Sequence, residues 1–166
     1  MENNKTREEA IKKLHTLIED IDFAMLTTVD IDGVLRSRPM STQKAEFDGT
    51  LWFFSSDKTH KTEEIERDNR VNVSYAEPKN NVYVSVSGTA SIIKDRAKME
   101  ELWNPILKAW FPKGLDDPSI CLLEVSAEQA EYWDSPSSTI VQIVGFVKAV
   151  VTGKRADGGE NEKINL

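Results

Sequence analysis

The sequence predicts an α+β protein built on a small, mainly antiparallel β-barrel of six or seven strands with peripheral helices. Three observations predict it. Short alternating segments rich in Val, Ile and aromatic residues recur between turn signals; three charged stretches with helical apolar spacing are inserted among them; and neither GxGxxG nor a Walker loop is present, which disfavours a parallel nucleotide-binding sheet.

Taken in order, residues from about Thr6 to Asp20 place Ala10, Ile11, Leu14, Leu17, Ile18 and Ile21 at spacings of three and four, a helix with one buried stripe. FAMLTTVD, VLRSRPMS and TLWFFSS then read as three consecutive antiparallel strands, separated by turn signals at Asp32-Gly33 and Asp48-Gly49. Lys58 to Asp68 is a short charged helix, with Glu63 and Arg67 in the favourable order for an ion pair. VNVSYA and the long alternating VYVSVSGTASII are strands, the latter with Val82, Val84 and Val86 on one face. From Asp95 to about Phe111 the apolar spacing is helical but interrupted near Pro105, which lacks an amide donor and crowds the preceding turn. ICLLEVSAEQAEYWD and IVGFVKAVVTG supply the last strands.

The 166 residues suit one domain, read as 1–155 followed by a loosely held tail at 156–166. The lone Cys121 lies in the apolar run ICLLEV and reads as a buried small hydrophobe, which suits a reducing compartment. MENNKTREEAIKKL has no apolar leader and no stretch is long enough for a membrane helix, so a cytoplasmic location is expected, with no membrane partner. A net charge of -7 argues against a nucleic-acid surface; an anionic ligand must find a local basic cluster.

One such cluster is RSRPM. Strand alternation puts Arg36 and Arg38 on the same face, and two guanidinium forks suit a phosphate dianion, although a solvated strand face reads the same way. The following LWFFSSDKTHKTEEI adds hydroxyls at Ser55, Ser56 and Thr59 and cations at His60 and Lys61 where a helix begins, a position whose free amides favour anions. Ordinary helix capping explains the same hydroxyls equally well. The aromatic residues Trp52, Phe53, Phe54, Trp103, Trp110 and Phe111 read mainly as core or subunit contacts. Neither His15 nor His60 has a second ligand at metal-binding spacing, so no metal is expected, and no nucleophile elbow appears.

RSRPM, LWFFSS and THKTEEIE, in this order and at this spacing, resemble the general stress protein 26 family within the pyridoxamine 5'-phosphate oxidase-like FMN-binding split barrels. The resemblance covers nearly the whole chain. It implies a split β-barrel working as a homodimer, with FMN, or FAD in its place, in a cleft between subunits. It implies that Arg38 binds the flavin phosphate, that Pro39, Met40 and Ser41 run beside the isoalloxazine ring, and that Phe54 and Ser55 form a second flavin contact. Thr59, His60 and Lys61 match a Ser-Arg-Lys phosphate element, with His60 departing from the oxidases' arginine, so that its charge depends on its surroundings. Tyr83 stands where the oxidases use a glutamine near the flavin. Trp133 matches a tryptophan that the oxidases present to flavin from the second subunit.

The function implied is an FMN-dependent oxidoreductase that does not oxidise pyridoxamine phosphate, because WDSPSSTIVQ lacks the Arg-x-His element of the oxidases. The alternative is a non-catalytic general stress protein that binds or buffers flavin. The sequence assigns neither catalytic residues nor a redox partner.

Overall fold

The computed structural model describes residues 2–134 and 160–166. The alternation read from sequence sorts the strands into two faces. β1 (Phe23–Val29) turns Ala24, Leu26 and Thr28 inward, and β4 (Arg70–Glu77) turns in Val71, Val73 and Tyr75. β5 (Val82–Ile93) adds Val84 and Val86; Phe53 of β3 (Thr50–Ser56) and Leu123 and Val125 of β6 (Ile120–Asp134) complete the core. The stripe on α1 (Glu2–Ile18) closes one end with Leu14 and Ile18, while Ile21 seals the exit from the helix.

The sheet runs β2-β1-β4-β5-β6-β3, with β2 spanning Leu35–Ser41, every neighbouring pair antiparallel, and β7 (Glu160–Asn165) lying beside β6. This is the expected α+β split barrel, an antiparallel sheet of seven strands that is curled but not closed. The point of division is on β6, which pairs with β3 over its first half, Thr50↔Ser126 to Ser56↔Ile120, and with β7 over its second, Gln129↔Asn165 to Asp134↔Glu160. Between Ser87 and Gly88 the register shifts, with Glu128 the extra residue on β6, which bends the ladder there, and a Cβ at Gly88 would lie 1.9 Å from the Ser126 carbonyl oxygen, so this strand crossing requires glycine.

One expectation is corrected. Of the three strands expected in succession, β1 and β2 form a hairpin around Gly33 at φ 75°, but β3 does not continue the meander and pairs with β6. The reason is local: residues 42–49 are too many for a tight turn, Thr42 N–H is bonded back to the Asp22 carbonyl at 3.0 Å, and Ala127 N–H takes the Gly49 carbonyl at 2.9 Å. Among the described strands, β2 and β3 therefore stand at the two ends of the main sheet path, joined by this loop.

The charged helix is α2 (His60–Arg67), and the interrupted one is α3 (Arg96–Leu102) followed by a 3-10 turn at Pro105–Ala109. The break falls where expected: Asn104 is extended, as a residue before proline must be, and its side chain accepts from Ile106 N–H at 3.0 Å. Phe54 packs here edge-on against Trp103, with ring centroids 5.6 Å apart. The strand expected at residues 143–153 and the WDSPSST segment beyond Asp134 lie outside the described residues, as does the start of the tail, whose residues Glu160–Asn165 form β7.

Candidate phosphate and flavin site

The inward face of β2 carries Arg36, Arg38 and Met40, but the two arginines have different fates. Arg36 is exposed and its Nε is bonded to Asp30 at the base of the hairpin turn. Arg38 turns under α2, where Nη2 donates to Glu64 Oε2 at 2.9 Å and Nη1 donates to Thr28 Oγ1. Thr28 in turn donates to the same Glu64 oxygen. Both Thr28 and Glu64 are buried, so the guanidinium is held by a closed ring of hydrogen bonds and only its remaining donors can meet a ligand.

Lys61 approaches Arg38 from the first turn of α2. Its pKa is lowered, first by burial and then by the positive charge of Arg38, and its Nζ donates to Thr59 Oγ1 at 3.3 Å. Thr59 is the residue before the helix. Its N–H donates to Thr62 Oγ1 at 3.3 Å, while its hydroxyl donates to the Ser56 carbonyl at 3.1 Å, tying the helix start to the end of β3. Ser55, on the inward face of β3, lies opposite Cys121, whose thiol burial pushes up to about 11. Lys61 thus stands near Arg38 and is bonded to Thr59 at the start of α2, while Ser55 lies near the adjoining end of β3.

Among the other expected residues, Pro39 and Ser41 lie on β2, one of whose edges has no sheet partner among the described residues, and Met40 is buried in the core. Phe54 faces away, into the aromatic cluster with Trp103 and Phe111. His60 does not join the cup: its side chain is 97% exposed, with Nδ1 3.6 Å from Glu63. Arg67, expected to pair with Glu63, reaches the Val29 carbonyl at 3.3 Å. Trp133 stands on the outer face of the sheet beside Tyr83, both exposed. Thr28 and Glu64 are the site residues that sequence reasoning missed. A short helix with three glutamates among its eight residues does not reveal which carboxylate faces inward; Ala24, Leu26 and Thr28, alternating on β1, were the available signal for the threonine.

An unclosed antiparallel sheet of seven strands with peripheral helices is the architecture of the split barrels. The sequence matches the pyridoxamine 5'-phosphate oxidase-like family over residues 9–157, and the chain belongs to that family. It is 31% identical to Protein bli-3 of Neurospora crassa over 159 residues, covering 90% of this chain and 76% of the relative. It is also 31% identical to General stress protein 26 of Bacillus subtilis over 136 residues, covering 75% of this chain and 96% of the relative. Among solved structures, the general stress FMN/FAD binding protein of Xanthomonas citri superposes with a TM-score of 0.67 at 28% identity, covering 79% of this chain and 92% of that one.

Proposed function

We propose that the protein binds FMN through Arg38 and Lys61 and works as a flavin-dependent oxidoreductase. The observation that carries this reading is the meeting of these two cations at the end of a free strand edge. The cup fits a phosphate dianion: a guanidinium fixed in orientation, an ammonium whose charge is disfavoured until an anion arrives, hydroxyls at Ser55 and Thr59, and the first amides of α2. Bound flavin supplies the redox chemistry. The chain's own groups bind and orient it: Arg38 and Lys61 fix the phosphate end, and the open edge at Pro39–Ser41 offers backbone donors and acceptors to the ring.

FMN is the flavin of this reading because two neighbouring cations suit the charge of its terminal phosphate dianion. A homodimer supports the site, since the exposed outer face that carries Tyr83 and Trp133 is where a second copy would complete the cleft. Pyridoxamine phosphate is not the substrate in this reading, because residues 134–147 contain neither arginine nor histidine to anchor it. The buried, unpaired Cys121 agrees with a cytoplasmic setting.

A second reading, flavin binding or buffering without turnover, is favoured by the Xanthomonas citri relative, which is described as a binding protein. One experiment separates the two. The visible spectrum of the purified protein should show flavin, bleached by NADH or NADPH without oxygen and restored by air. Yellow protein inert to every reductant supports binding alone, and colourless protein that rejects added FMN overturns both. Formation of pyridoxal 5'-phosphate at about 1 per second or faster would contradict the exclusion of that substrate.

A further inference from the structure

β1 and α2 bring two buried oxygens to one guanidinium. Thr28 is fully buried on the inward face of β1; the Glu64 side chain keeps 5% of its surface exposed and that of Arg38 22%. The Thr28 hydroxyl donates to Glu64 Oε2, and these two oxygens accept from Nη1 and Nη2 of Arg38 respectively. Oxygens in hydrogen-bond contact with each other can serve both terminal nitrogens only through the two N–H bonds that point the same way, along the end of the guanidinium. That end is thereby spent on the protein. Because the fork is planar and rigid, the pair of parallel donors that the ring does not use is the side edge, Nε–H with the second proton of Nη2. An ion pair made for the fold alone does not explain what stands beside it. Burial, and after it the charge of Arg38, lower the pKa of Lys61, and the attraction of Glu64 is the smaller effect. Two cations against one carboxylate leave this place short of an anion.

We propose that Thr28 and Glu64 are positioning residues: they hold the end of the Arg38 guanidinium so that its Nε edge meets a phosphate-type oxyanion through two parallel hydrogen bonds. Both act through Arg38 and neither touches the ligand. The hydroxyl matters as much as the carboxylate, since it alone accepts from Nη1 within the ring while keeping Glu64 Oε2 against Nη2. The inference rests on the proposed flavin reading for the identity of the anion, the FMN phosphate, and not for the orientation of Arg38, which is set without a ligand.

The test is nitrogen NMR of the arginine side chains in the full chain, with FMN, riboflavin and inorganic phosphate as probes. In flavin-free protein the Nη1 and Nη2 signals of Arg38 should be separate, because the ring stops the rotation that exchanges them, and in Thr28→Val they should merge. FMN should move the Arg38 Nε–H proton downfield; riboflavin should leave it in place. Thr28→Val should weaken FMN by about tenfold without weakening riboflavin, and Thr28→Ser should restore the native affinity. In an Arg38→Ala background, Thr28→Val should have no further effect on FMN, whereas a merely structural role would weaken both flavins and persist without the arginine. If Thr28→Val does not fold, the Nη and Nε signals of the native chain decide. Merged Nη signals in the native protein, an Nε–H signal unmoved by bound FMN, or native FMN affinity in a folded Thr28→Val would overturn the proposal. If FMN does not bind at all, the flavin reading fails by itself: an Nε–H signal moved by inorganic phosphate would still support the orientation of Arg38, and one unmoved by phosphate would overturn that as well.

Discussion

Arg38 and Arg36 share a strand face, yet only Arg38 reaches the cup, because Asp30 already engages Arg36 in solvent. Arg38→Ala should therefore weaken FMN by about 10- to 150-fold, the loss of a charge-assisted hydrogen bond, and Arg36→Ala by much less. Equal losses in a fluorescence titration would contradict the assignment. Lys61 makes the site pH-sensitive. Its pKa lies below the ordinary 10.5 in the empty protein, and a phosphate beside it pulls the value back up. FMN affinity should be flat below the lowered pKa and fall as pH rises through it; Lys61→Arg should move that fall to higher pH. A native profile with no alkaline fall would show that Lys61 does not meet the phosphate. In the empty protein the sign reverses: the unfolded chain holds more protons across this window, so stability rises as the lysine deprotonates. The two cations were legible from their place in RSRPM and THK. The ring of Thr28 and Glu64 was not, since it depends on which face of α2 meets β1.

At the scale of elements, the kind and order of β1 to β6 and of the helices followed from alternation, apolar spacing and Pro105, whereas strand partnership and β7, in the stretch read as a loose tail, did not. Nothing in TLWFFSS says that it pairs with ICLLEV across the barrel instead of with its neighbour; that outcome is set by the loop at 42–49 and by the bend of β6. Gly88 is where this bend is made possible. Its glycine was visible in VYVSVSGTASII, but the approach of the Ser126 carbonyl was not. Gly88→Ala should destabilise the fold by about 3 kcal/mol or more, the upper range for forced overpacking, because the obstacle is backbone and cannot rotate away. Urea unfolding within about 1 kcal/mol of the native protein would show that β5 and β6 can separate at little cost.

The whole molecule leaves one broad apolar row on its outer face. Met25 pairs with Ser74, Ala76 with Tyr83, and Tyr83 with Trp133, so Met25, Tyr83 and Trp133 project from the same side of four strands, and Phe23 extends the row along β1. All four large side chains are exposed in the single chain. In the proposed homodimer these side chains would be buried against a second copy, and Trp133 would be brought to the partner's cleft. Sedimentation should show a dimer that loses flavin as dilution separates it; a flavin-loaded monomer would defeat this. The central claim is that the chain recognises the phosphate of its flavin. Its most direct test is calorimetric titration of flavin-free protein with FMN and with riboflavin, which lacks the phosphate. FMN should bind at least about tenfold more tightly, with the difference abolished by Arg38→Ala; equal affinities in the native protein would contradict the account.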